Sequence, residues 1–191
     1  MDPRIAKTHA AVMAAATELL VEGGPEALTV DAVVARSGVA KSTIYRHWAT
    51  RDDLVASVFE ECAPDLQPPD PDLDAEQALR SLIHQLAQSL SDPRWKRLIP
   101  ALFLLKAQHE PVADLEDDLS NRQSELLATV LTRAVDDGVL DASVLDDLHA
   151  TSALLAGPLL MAGVFDFVAL TDDFVDKAVD QFLVAHQPRS T

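Results

Sequence analysis

The sequence predicts an all-α fold of about nine helices: an N-terminal helix-turn-helix head of three, a connecting fourth, and a larger helical body. Apolar residues recur at helical spacing through most of the chain. Ala and Leu dominate while only 6 of 191 residues are glycine, which favours helix over strand. No Val/Ile/Thr/Tyr run alternates with a period of two.

Asp2-Pro3 opens the first helix, an N-cap acceptor followed by a proline whose missing N–H costs nothing at the first helical position. Ile5, Val12, Ala16, Leu19 and Leu20 share one face, and Gly23-Gly24-Pro25 ends the run. Thr29 caps a short second helix, with Asp31 in its positive first turn and Val30, Val33 and Val34 turned inward. Gly38 closes it. A third helix runs from Lys41 to Trp48, anchored by Ile44 and Trp48, with Ala40 a weak N-cap. Thr50 caps a fourth, in which Leu54, Val55, Val58, Phe59 and Cys62 form an apolar stripe.

Pro64-Asp65-Leu66-Gln67-Pro68-Pro69-Asp70-Pro71 holds four of the 11 prolines and cannot be helical. It sets the domain boundary, with residues 1–62 as the head plus its connecting helix and 63–191 as the body. Asp74 caps the next helix, which carries Leu79, Leu82, Ile83, Leu86 and Leu90. Asp92-Pro93 starts another, running to the region of His109 through Pro100, and a long helix from near Pro111 to Asp137 stops at Gly138. Two more are expected, from the region of Ser143 to Leu170 and from Thr171 to His186.

A net charge of −16 argues at first against a polyanionic partner, but the distribution reverses that. Residues 1–51 hold six Lys or Arg against five Asp or Glu, and the remaining chain holds 9 against 26. From Asp31 to Asp52 no acid intervenes, while Arg36, Lys41, Arg46 and Arg51 all fall in that window. Such asymmetry marks one part of a chain that faces a polyanion. The lone Cys62 excludes an internal disulfide and reads as packing. The N-terminus lacks an apolar signal core, and the uncharged stretch Ala150–Phe165, interrupted by Gly157-Pro158, falls short of the roughly 18 to 20 residues of a membrane span. A soluble, cytoplasmic protein with no membrane partner is expected.

The helix pair at residues 29–51 leaves one side of its second helix uncommitted. That side carries Lys41, Ser42, Thr43, Tyr45, Arg46 and His47, donors suited to phosphate oxygens and base edges, with no acid among them. From Ile5 to Phe59 the chain resembles the DNA-binding head of the TetR family. The resemblance rests on Thr29, on Gly38-Val39 at the turn, on Thr43-Ile44-Tyr45-Arg46-His47-Trp48, and on Thr50-Arg51 with Leu54 following. Trp48 stands where that family usually has phenylalanine. The resemblance implies a homodimeric regulator on a near-palindromic double-stranded operator, released by a small-molecule effector. It implies DNA contacts from Thr29, Lys41, Ser42, Thr43, Arg46 and His47, and phosphate contacts from Tyr45 and Arg51. Past residue 60 it thins to landmarks, Asp92-Pro93, Gly138-Val139-Leu140 and Gly157-Pro158-Leu159-Leu160.

The last two helices are apolar around more than one face, which requires burial on several sides and suggests self-association. Leu155, Leu159, Phe165, Phe174, Val175, Val179, Phe182 and Leu183 are the expected seam. A ligand pocket is expected among His84, Gln88, Trp95, Phe103, His109, Met161 and Phe165. Asp70, Asp72 and Asp74 have calcium-loop spacing but lack its glycine and bidentate Glu, and His109-Glu110 lacks a second histidine, so no metal or cofactor is expected. No G-x-S-x-G, P-loop or dinucleotide motif is present, which disfavours an enzyme. A DNA-binding protein without effector, and a helical small-molecule carrier or enzyme without a DNA role, stay open as alternatives.

Overall fold

The computed structural model describes residues 3–63, 65–106, 110–165 and 168–188. Asp2, Pro64 and His109, named above, lie outside them. Among the described residues there is no strand. Nine α-helices run in order among the described residues as α1 (Pro3–Ala27), α2 (Val30–Ser37), α3 (Lys41–His47), α4 (Arg51–Cys62), α5 (Ala75–Ser91), α6 (Pro93–Lys106), α7 (Glu110–Asp136), α8 (Leu148–Phe165) and α9 (Asp172–Ala185), with a 3-10 turn at Ala142–Leu145.

The chain divides into two compact units, Met1–Ala63 with Arg97–Asp118, and Pro64–Lys96 with Leu119–Thr191. The first break falls at the proline-rich segment; the assignment of 97–118 to the first unit has no counterpart in the sequence pattern. As a result α6 and α7 each run from one unit into the other.

In the first unit α1 packs on α2 and α4, and α2 on α3. The regular part of α1 breaks at Gly24, whose φ of 69° and ψ of −167° leave the helix as the Gly-Gly-Pro run dictates. Val12, Ala16, Leu20, Leu28, Val33, Ile44, Leu54, Val58 and Phe59 make the core. Ile5, expected on the inward stripe, is exposed, while Met13 and Ala15 join the buried side.

In the second unit α5 packs on α8 and α9, and α8 on α9 and the 3-10 turn. α5 and α8 approach closely at Gly163, where an added Cβ would lie 3.2 Å from the Leu90 Cβ. The expected single helix over 143–170 is two elements, because two aspartates six residues apart each start one. Asp141 accepts from the Ser143 amide at 3.0 Å, and Asp147 from the Ala150 amide at 2.9 Å. Thr151, a buried polar side chain, donates to the Val144 carbonyl at 2.8 Å and pins the 3-10 turn to α8. With Leu148 and His149 included, α8 reaches 18 residues and is long and apolar enough to cross a membrane by length and composition. Its face of Thr151, Leu155, Leu159, Ala162 and Gly163 is buried inside the protein.

Candidate functional site

The helix-turn-helix is fixed at both joints. Thr29 accepts from the Ala32 amide at 3.1 Å to start α2. Gly38, at φ 70°, ends α2 in the left-handed conformation and returns its N–H to Val34. α3 then begins at Ala40 with no side-chain cap, as its alanine implies. Ile44 buries the inner side of α3 beneath it, and Trp48, 6% exposed, donates from Nε1 to Ser57 Oγ at 2.9 Å, which ties the end of α3 to α4. The rings of His9 and His47 lie 5.2 and 5.6 Å from Trp48. Thr50 and Asp53 close a reciprocal capping box at the start of α4.

On this scaffold Lys41, Ser42, Tyr45, Arg46 and His47 are exposed and Thr43 is half-buried, so the six expected side chains of α3 lie on its outer side together. Tyr45 is 47% exposed. Thr29 is exposed beside α2, and its hydroxyl proton remains available after the oxygen has accepted the cap bond.

Two basic residues of the head hold partners within the chain. Lys41 Nζ lies 2.7 Å from Asp31 Oδ1, and this hydrogen bond and the opposite charge raise the Lys41 ammonium above its usual pKa. The guanidinium of Arg51, which the resemblance puts on phosphate, turns into the head in the free chain. Nε donates to the Leu28 carbonyl at 2.7 Å, a terminal nitrogen donates to the Pro25 carbonyl, and the other pairs with Asp52 at 3.3 Å. The α1–α2 connection, left by Gly24-Pro25 with carbonyls that no helix uses, takes up the fork.

In the body, six of the expected seam residues, Leu155, Leu159, Val175, Val179, Phe182 and Leu183, are already buried within one chain. Phe174 is half-buried and Phe165 is 62% exposed. The face that α8 leaves to solvent is instead Leu154, Pro158, Met161 and Phe165, at spacings of four, three and four residues that form one stripe. On α9 the corresponding stripe is Phe174, Ala178, Gln181 and Ala185.

A cavity of about 260 Å³ opens between α5, α7 and α8. α5 contributes Leu82, Ile83 and Leu86, and α7 contributes Gln123, Ser124 and Leu127. α8 contributes its third face, from His149 and Ser152 through Ala156 to Leu160. Among the described residues, none of those expected at a pocket lines it. His84 and Gln88 border a second, wetter recess with Asp172 and Val175, where His84 Nε2 lies 2.9 Å from Asp176 Oδ1. Trp95 is core, and Phe103 and Met161 are about half exposed. Large aliphatic side chains of α5 face small ones of α8 across this space. The legible signal was Ser152, Ala153 and Ala156 on one face of a leucine-rich helix.

A buried three-helix head with an acid-free donor face, followed by a helical body with a cavity, defines a helix-turn-helix DNA-binding regulator. The family model described as bacterial regulatory proteins, tetR family, matches residues 12–58, and that described as tetracyclin repressor-like, C-terminal domain, matches residues 68–182. The chain therefore belongs to the TetR family of transcriptional regulators. An uncharacterized HTH-type transcriptional regulator of Mycobacterium tuberculosis is 28% identical over 187 residues, covering 94% of this chain and 88% of its own. The uncharacterized HTH-type transcriptional regulator YdeS of Bacillus subtilis is 41% identical over 66 residues, 35% of this chain and 33% of its own. Among solved structures, the Flavonoid-responsive Regulator FrrA superposes with a TM-score of 0.72 at 24% identity, covering 97% of this chain and 100% of its own. A TetR transcriptional regulator from Agrobacterium tumefaciens gives 0.73 at 22%, covering 95% and 94%.

Proposed function

We propose that the protein is a cytoplasmic, homodimeric repressor that binds a near-palindromic operator through α3 and leaves it when a small molecule enters the body. The outward face of α3 carries this reading: lysine, arginine, tyrosine, histidine and hydroxyls on one side of a helix whose other side is locked by Ile44 and Trp48. A two-fold pair of such helices one DNA turn apart, about 34 to 36 Å, meets successive major grooves. The stripes Leu154/Pro158/Met161/Phe165 and Phe174/Ala178/Gln181/Ala185 form the seam. The name of FrrA supports response to a small molecule, and the cavity beside α7 gives it a place. α7 lines the cavity with Gln123, Ser124 and Leu127, and its residues up to Asp118 belong to the same unit as the head, so it is the element a ligand would bias. The test is selection of bound duplexes from random sequence. Recovery of a symmetric motif with half-sites one turn apart supports the reading, and an unselective pool overturns it.

A further inference from the structure

We infer that the cavity between α5, α7 and α8 takes an uncharged, mostly apolar small molecule that carries a hydrogen-bonding group, an inference that rests on the reading of the body as an effector domain. The volume of about 260 Å³ is near the lower end of ligand sites, roughly 300 to 1,000 Å³, and suits one or two fused rings or a short branched chain. The α5 wall is entirely aliphatic, from Leu82, Ile83 and Leu86. Among the described residues no Asp, Glu, Lys or Arg lines the cavity. A carboxylate placed there would lose its hydration and meet no Lys or Arg, with the His149 imidazole the one lining group able to take a proton for it, inside a stretch whose 26 acids outnumber 9 bases. An ammonium would find no carboxylate in the lining to replace its water.

The polar atoms are confined to α7 and the start of α8. Gln123, Ser124 and His149 make no side-chain hydrogen bond among the described residues, so an amide, a hydroxyl and an imidazole all keep donors or acceptors for a guest. Ser152 already donates to the Leu148 carbonyl at 2.6 Å and is left as an acceptor. One polar edge facing one aliphatic wall orients an amphipathic neutral molecule and rejects a purely hydrocarbon one less strongly than it rejects an ion.

Titration calorimetry on the full-length protein with naphthalenemethanol, naphthoate and naphthylmethylamine tests this, since the ring system is constant and the charge is zero, negative or positive. The neutral probe is expected to bind at least about tenfold more tightly than either ion. Gln123→Leu should weaken it about three- to tenfold. Ala156→Trp should fill the space and abolish binding, and Ala153→Trp, entering from the exposed side, repeats that test without disturbing the core. Equal or tighter binding of an ion, no binding of the neutral probe, or full binding by a cooperatively melting tryptophan variant overturns the inference. Retention on a selected duplex is read in the same samples. A neutral probe that binds without lowering retention leaves the ligand class standing and removes the effector role.

Discussion

Arg51 Nε donates to the Leu28 carbonyl at 2.7 Å, which fastens the first turn of α4 to the residue before the N-cap of α2. The same guanidinium also reaches the Pro25 carbonyl, so one side chain spans the whole α1–α2 connection. An arginine used this way sets the pose of the helix-turn-helix and has few donors left for phosphate. Arg51→Ala is expected to destabilise the head by about 1.5 to 3 kcal/mol, the scale of hydrogen bonds to a charged group. DNA affinity should fall with it while the salt slope stays unchanged, whereas loss of a phosphate contact flattens the slope by about one unit per site. Melting curves and binding across a salt series separate the two, and a flattened slope at wild-type stability would return Arg51 to the phosphate backbone.

Lys41 and Asp31 form an ion pair in the head, at 2.7 Å. Lys41 must leave this partner to meet DNA, so Asp31 competes with phosphate and base acceptors for the same ammonium. Asp31→Asn should increase affinity for random duplex about two- to fivefold at low salt and progressively less as salt screens the pair. Fluorescence anisotropy at several salt concentrations checks it, and unchanged affinity at low salt would show that the pair does not compete.

Arg46 and Tyr45 lie on the same exposed side of α3 but are expected to do different work. Arg46 can reach guanine in bidentate fashion, so Arg46→Ala should cost about 1 to 3 kcal/mol on the selected duplex and much less on a scrambled one. Tyr45→Phe removes a phosphate donor and should weaken both alike. Equal losses on the two duplexes for Arg46→Ala would mean that α3 does not read sequence through this residue.

Met161 is 49% exposed on the outward stripe of α8, whereas Phe182 is 5% exposed, with its ring 4.3 Å from that of His186. Met161→Glu is therefore expected to halve the mass seen by light scattering while each chain still melts cooperatively. Phe182→Glu should unfold the body instead, because a carboxylate enters the core of one chain. A dimeric Met161→Glu would take the seam away from this face of α8.

What the sequence made legible follows from how local each feature is. Caps and turns are decided within four residues, so Thr29, Gly38, Thr50 and Asp74 fixed helix ends that the structure reproduces. The outward face of α3 was legible for the same reason, since Ile44 and Trp48 dictate which side is buried. The body was harder because α8 has three faces and composition does not rank them. Leu155 and Leu159 face the core, Leu154 and Met161 face solvent, and Ala156 and Leu160 line the cavity. The partners of Arg51 and Lys41 were illegible because a charged side chain's choice between protein and phosphate depends on which acceptors the fold brings near. Nothing in a sequence window marks the Pro25 and Leu28 carbonyls as such acceptors.

The charged seam between α5 and α9 yields a pH prediction with a definite sign. Arg80 of α5 reaches Glu76 at 2.7 Å, Asp180 at 2.5 Å and Asp176 at 3.6 Å, and His84 sits 2.9 Å from Asp176 and 3.6 Å from Asp172. The hydrogen bond with His84 holds the Asp176 carboxyl below the usual carboxylate range, helped by the charges of His84 and Arg80 against the opposing effect of desolvation. A carboxyl whose folded pKa is depressed contributes stability that is fully present above its unfolded value, about 3.9, and is lost as pH falls through the lower folded value. Between neutrality and about pH 5 this group should therefore leave α9 unchanged, and below about pH 4 the tie to α5 should weaken progressively. His84→Ala removes the largest cause, so the Asp176 midpoint should move up toward the ordinary range and the acid loss of α9 amide protection should begin at higher pH. Carbon-13 detection of the Asp176 carboxyl in both proteins measures the two midpoints directly. An ordinary midpoint in the wild-type protein, or no upward move in the variant, would show that the His84 contact does not hold in solution.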